Sequence, residues 1–142
     1  MRFWDTSAVV PLIITEPSTQ GAYALFEHDP RLIVWWATEV ECVSAIARRE
    51  REGSLEARDV AAATERLAAL RTSWAEVQPA ARVRQTAARL VRVHAIRAAD
   101  AFQLAAAIIA ADDDPRSLPF VTLDDQLARA AEREGFSVVE LA

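Results

Sequence analysis

Met1-Arg2-Phe3-Trp4-Asp5-Thr6-Ser7-Ala8-Val9-Val10-Pro11-Leu12-Ile13-Ile14 opens the chain and carries the reading of the fold. Met1 to Trp4 is short and apolar, as a buried strand is. Asp5-Thr6-Ser7 then supplies residues that cap helices, and Pro11 sits in the first turns of an apolar segment that ends near Ile14. The order is strand, acidic turn, helix. The same order returns near the other end, where Phe120 to Leu123 reads as a buried strand and Asp124 opens an amphipathic helix stopped by Gly135.

Between these two units the pattern continues. Arg31 to Trp36 is a β-rich run behind the turn signal His28-Asp29-Pro30. Thr38 is expected to cap a helix running to Gly53, with Glu41 at the third following position of a capping box. Ser54 begins a further helix through about Trp74, on the spacing of Leu55, Val60, Ala63, Leu67 and Leu70. Glu76 to Gln78 is a weak strand halted by Pro79. Ala80 to His94 and Ala98 to Ala111 are helical, the second broken by Asp112-Asp113-Asp114-Pro115, and Phe136 to Glu140 is the last strand. Apolar strands alternating with helices imply a mostly parallel sheet of about four or five strands, covered on both faces. The predicted class is α/β, three-layered α/β/α, with residues 1–142 forming one domain.

Composition removes several functions. All 16 basic residues are arginine, and lysine and asparagine are absent. No P-loop lysine exists, and neither does the lysine that receiver domains and related phosphatases need beside their carboxylates. Only Gly21, Gly53 and Gly135 are present, too scattered to cradle a pyrophosphate. The arginine and alanine enrichment looks like genomic base-composition bias, and the net charge of −5 argues against a broadly basic binding surface. Two bound divalent cations would bring that charge to −1 and relieve the repulsion of a polyanionic substrate. Cys42, the single cysteine, lies in an apolar helical pattern and is expected to be buried and inert. Ala101 to Ala111 is far shorter than the roughly 20 residues of a membrane span. Asp5 and Glu16 interrupt any secretory apolar core. The expected setting is therefore cytoplasmic, without a membrane partner.

Four carboxylates remain to be explained. Asp5 and Asp124 follow strands, where open parallel sheets gather functional groups, although helix capping accounts for each taken alone. Asp100 begins an uncharged run, and its only local partner is Arg97, whose ion pair is worth a few tenths of a kcal/mol. Glu41 lies inside the apolar run Val40 to Ile46, with Arg48 two turns away; capping and metal binding explain it equally. Carboxylates that converge without a cation repel one another. A hard cation, Mg²⁺ or Mn²⁺, relieves this, whereas zinc is disfavoured because His28 and His94 are far apart in sequence and are read as surface or helix-end residues.

Four blocks of the sequence, in this order and spacing, resemble the PIN-domain nucleases, specifically the VapC-type toxins of bacterial type II toxin–antitoxin pairs. They are Phe3 to Ala8, Thr38 to Arg49, Ile96 to Ala105, and Phe120 to Asp124 followed by Leu127 to Ala131. The resemblance implies a PIN-like fold. It implies metal-binding, catalytic roles for Asp5, Glu41, Asp100 and Asp124, with Ser7 and Thr122 as supporting hydroxyls; Asp124 is preferred to Asp125 on the Thr-x-Asp spacing. It further implies RNA cleavage that leaves a 5′-phosphate, by in-line attack of a cation-activated water, together with a homodimer and a cognate antitoxin that masks the site. A housekeeping nuclease of the same fold, acting on RNA or DNA, and a catalytically silent binding module are the alternatives. Val9, Leu12, Ile13, Leu25, Phe26, Trp35 and Trp36 could form an antitoxin surface, but core packing explains them more simply.

Overall fold

The computed structural model describes residues 1–141. Five strands, β1 (Arg2–Trp4), β2 (Leu32–Trp35), β3 (Ala75–Val77), β4 (Phe120–Val121) and β5 (Val138–Val139), form one sheet in the order β3-β2-β1-β4-β5. Every neighbouring pair is parallel, with Phe3 registered against both Ile33 and Phe120. Among the described residues seven α-helices accompany the strands: α1 (Thr6–Ile13), α2 (Thr19–His28), α3 (Thr38–Arg51), α4 (Ala57–Ser73), α5 (Ala81–Val93), α6 (Ala98–Ala110) and α7 (Asp125–Arg133).

Strand alternation sorts the apolar side chains into two cores, one on each face. Phe3, Ile33, Trp35 and Phe120 point to the side covered by α5, α6 and α7, where they meet Leu90, Leu104 and Leu127. Trp4, Leu32, Val34 and Val121 point to the other side and pack with Val9, Ile13, Ile46 and Leu67 from α1, α3 and α4. The result is the expected three-layer α/β/α arrangement. A sheet buried on both faces requires strands that are apolar at every position, and β2 (Leu-Ile-Val-Trp) is buried throughout.

The winding direction positions the site. From β1 the chain steps through β2 to β3 with α1 to α4 on one face. It then returns past β1 to β4 and β5 with α5 to α7 on the other. The order reverses between β1 and β4. At such a switch point the loops leaving the two strands diverge to opposite faces and open a crevice at their carboxyl ends.

Several boundaries differ from those read off the sequence. β4 ends at Val121, so Thr122 and Leu123 lie beyond the strand, and Leu123 is exposed. α4 starts at Ala57 rather than Ser54, because Glu56 and Asp59 form its capping box. Helix α2 adds to the elements that the periodicity delimits. Gly53 and Gly135 end α3 and α7 at φ of +82° and +102°, a conformation that costs glycine little. Val9, Leu12, Ile13 and Trp35 are core residues, whereas Trp36 is half exposed. Cys42 is fully buried, and burial pushes its thiol up to about 12, so it is inert as a nucleophile. No helix among the described residues is long and apolar enough to cross a membrane.

Candidate active site

Asp5 leaves β1 and caps α1, with extended backbone and a side chain that accepts from the Ser7 amide at 3.3 Å. The same oxygen, Oδ2, accepts from the Thr122 hydroxyl at 2.8 Å and from the Ser7 hydroxyl. Thr122 stands just past β4, the strand paired with β1, and its Oγ1 also accepts the backbone N–H of Asp124 at 3.1 Å. One hydroxyl therefore ties the loops after the two central strands together. Asp124 caps α7 through Oδ1, which accepts from the Leu127 amide at 2.9 Å. Asp125 is the first residue of that helix and is exposed.

Glu41 is placed differently from the sequence reading. The cap of α3 is Ala37 and makes no side-chain cap bond; Thr38 is the first helical residue, and Glu41 belongs to no capping box. The Glu41 carboxylate turns toward the sheet edge. Its Oε1 accepts from the Thr6 hydroxyl at 2.9 Å and from Nε2 of Gln103 at 2.7 Å. The capping explanation fails because the fully buried Thr38 hydroxyl is engaged by Gln103 at 3.2 Å instead. Asp100 lies in the first turn of α6 and is half-buried, and among the described residues it has no salt-bridge partner, Arg97 included. Gln103, one turn after Asp100, is the site residue that sequence reading passes over. Its signal is a polar side chain inside an otherwise apolar helix, where burial without partners would cost about 1–3 kcal/mol.

The acids are electrostatically linked in a row. Burial raises the Asp5 carboxyl to about 6, against the opposing hydrogen bonds from Ser7 and Thr122, and the Glu41 charge pushes the same way. Glu41 is raised mainly by desolvation, with Asp100 adding to it. Asp100 is raised by desolvation and then by Asp124, while Arg97 opposes. Each neighbour disfavours ionisation of the next, the signature of like charges brought together in a poorly solvated place.

The donor set fits a hard cation. Asp5, Glu41 and Asp124 each use one oxygen for protein hydrogen bonds; among the described residues no such bond reaches Asp5 Oδ1, Glu41 Oε2 or Asp124 Oδ2. The anchored oxygen fixes each side chain while the other remains available. All the groups are carboxylate or hydroxyl oxygens, the ligands of Mg²⁺ and Mn²⁺ rather than of zinc. Among the described residues no three acidic, histidine or cysteine side chains form a ready-made cage. Neither histidine joins the site. His94 is buried at the end of α5 with Nε2 2.7 Å from Glu134, and His28 ends α2 on the surface.

An acidic crevice at the switch point of a doubly wound, wholly parallel sheet defines the class of protein, and the sequence agrees with it. Residues 2–133 match the PIN domain, and the chain belongs to the PIN-domain family. Among solved structures, FitAcB from Neisseria gonorrhoeae has a TM-score of 0.67 over 99% of this chain and 97% of that one, at 20% identity, a likeness of fold. No curated protein matches the sequence.

Proposed function

We propose that the chain is a Mg²⁺- or Mn²⁺-dependent endoribonuclease, the VapC-type toxin of a toxin–antitoxin pair. The observation that carries the nuclease reading is the set Asp5, Glu41, Asp100 and Asp124, three of which, Asp5, Glu41 and Asp124, are anchored through one carboxylate oxygen while no protein hydrogen bond among the described residues reaches the other, and of which Asp5, Glu41 and Asp100 are raised by burial and by a neighbouring acid. Such an arrangement costs stability in the metal-free chain, and a cation removes that cost. A bound divalent cation supplies Lewis acidity, acidifying a water and neutralising charge on the phosphoryl oxygens.

The protein's part is to hold oxygens in place. Ser7 and Thr122 fix Asp5 through Oδ2, and Thr6 and Gln103 fix Glu41 through Oε1. The Leu127 amide and the start of α7 fix Asp124, and Thr122 sets the spacing between Asp5 and Asp124. Asp100 brings a further carboxylate from α6. In-line hydrolysis at such a site leaves a 5′-phosphate and a 3′-hydroxyl and requires no histidine base. The toxin assignment, the antitoxin that masks the site and the homodimer rest on the sequence resemblance to VapC-type toxins.

The test incubates purified protein with total RNA and Mn²⁺ or Mg²⁺, beside chelator and Asp5→Asn controls, and sequences the new ends. Cleavage with 5′-phosphate ends that disappears in both controls is expected; equal cleavage by Asp5→Asn protein sinks the mechanism. Growth arrest on expression, relieved by the product of a short upstream reading frame, distinguishes a toxin from a housekeeping nuclease.

A further inference from the structure

A cleft of about 670 Å³ opens directly from Glu41, Thr6 and Ser7 and runs along α3, with Val10, Val40 and Leu123 on its walls. Glu16, Arg48 and Arg49 also line it. These two adjacent arginines have different surroundings. Arg49 is held by Glu16 in a salt bridge and is partly buried. Arg48 is exposed, and among the described residues no carboxylate pairs with it.

The cleft thus presents Glu41, one of the four acids proposed to hold a cation, together with the free guanidinium of Arg48. Glu41 and Arg48 are seven residues apart on one helix, two turns, so they share a face about 10 Å apart along the axis. Ser44 and Ala45, small residues between them, keep the floor open. Two positive points in one open groove suit a polyanion with regularly repeated charges. Arginine is the side chain that takes a phosphate through two parallel hydrogen bonds.

Resting on the nuclease reading above, we propose that Arg48 binds a backbone phosphate of the RNA neighbouring the scissile one, and so sets the path of the strand along α3. Arg48 is a positioning residue with no part in bond cleavage. It contributes affinity without sequence preference, because a phosphate contact carries no base information. The chain's net charge of −5 makes such a local contact matter, since the protein as a whole repels RNA.

The experiment measures steady-state cleavage of two single-stranded RNA oligonucleotides of unrelated sequence in Mn²⁺ across a range of KCl concentrations. Binding by fluorescence anisotropy in chelator accompanies it. Arg48→Ala is expected to raise KM about tenfold for both sequences with kcat within about twofold, and to reduce the salt slope by about 0.7, one single-strand phosphate contact. Arg48→Lys retains the slope and recovers most of the KM. Arg51→Ala, which removes the same charge from the end of α3 outside the cleft, leaves both at wild-type values. A wild-type enzyme that cleaves RNA while Arg48→Ala shows unchanged KM and slope overturns the inference and spares the nuclease reading. So does an Arg48→Ala protein that cleaves normally but escapes its antitoxin, which assigns the cleft to a protein partner. Absence of both cleavage and binding by the wild type overturns the nuclease reading and this inference with it.

Discussion

Gln103 Nε2 lies 2.7 Å from Glu41 Oε1, joining α6 to α3 across the carboxyl edge of the sheet. The same nitrogen is 2.8 Å from the Thr6 hydroxyl at the start of α1. Three helices from both layers therefore meet on one buried amide. The carboxylate, which can only accept, dictates that the NH₂ end faces it. Gln103 Oε1 is left without a partner among the described residues, so the amide is placed for Glu41 rather than for its own full satisfaction.

Replacing Gln103 by leucine, close in volume, separates packing from hydrogen bonding. Glu41, Thr6 and Thr38 lose a donor, which costs about 1–3 kcal/mol of stability. Urea unfolding checks this. Glu41 also loses its fixed orientation, so kcat is expected to fall by tenfold or more in protein that remains folded. A variant with wild-type kcat would show that the amide serves folding alone.

The Asp5 carboxyl gives a pH dependence of definite sign. Its folded value, about 6, lies above the ordinary 3.8, so the native state holds a proton that the unfolded chain releases. Metal-free stability therefore falls as pH rises from about 4 to about 6 and then levels, by about 3 kcal/mol for a shift of this size. Asp5→Asn removes the penalty. In chelator at pH 8 the variant should be about 1–3 kcal/mol more stable than wild type, with the advantage vanishing near pH 4, while its nuclease activity is lost. Denaturant titrations at the two pH values decide the matter.

Thr122→Val retains the shape of the loop and removes the hydroxyl shared by Asp5 and the Asp124 amide. Since that hydrogen bond lowers the Asp5 pKa, its loss raises it further, and the acid limb of the pH–rate profile in Mn²⁺ should move to higher pH. The expected stability cost is about 1–2 kcal/mol, read from thermal unfolding. An unmoved acid limb would separate Thr122 from the ionisation of Asp5.

Cation binding should stabilise the chain through the acids it neutralises. At 100 times the dissociation constant, Mg²⁺ or Mn²⁺ adds about 2.7 kcal/mol, visible as a raised Tm in wild type and much reduced in Asp100→Asn. Calcium, which tolerates irregular geometry, is expected to support RNA binding better than turnover. Full cleavage in calcium alone would contradict that expectation.

Strand and helix order was legible because both signals are local. The apolar runs Leu32 to Trp35 and Phe120-Val121 are too short for helices, and the helices show period and stop signals at Gly53 and Gly135. The positions of Asp5 and Asp124 followed, since each is the first acidic residue beyond the carboxyl end of a strand. The capping alternative for Glu41 arises because Thr38 and Glu41 have the spacing of a capping box, and the structure removes it by capping α3 with Ala37. The competing partner, Gln103, is 62 positions away: its polarity within an apolar helix is visible locally, but its pairing with Glu41 is not.

By itself the sequence determined the alternation of strands and helices, the buried state of Cys42 and an Asp100 without an adequate local partner, because hydrophobic period and charge are properties of neighbouring residues. Only the tertiary structure decided that β1 lies against β4, that Thr122 bridges Asp5 and Asp124, that Gln103 rather than Thr38 holds Glu41, and that Arg48 faces the same cleft as Glu41 while Arg49 is tied to Glu16. Those relationships depend on which side chains desolvate together when distant segments close on one sheet edge. That closure is fixed by the packing of both faces rather than by any single stretch of chain.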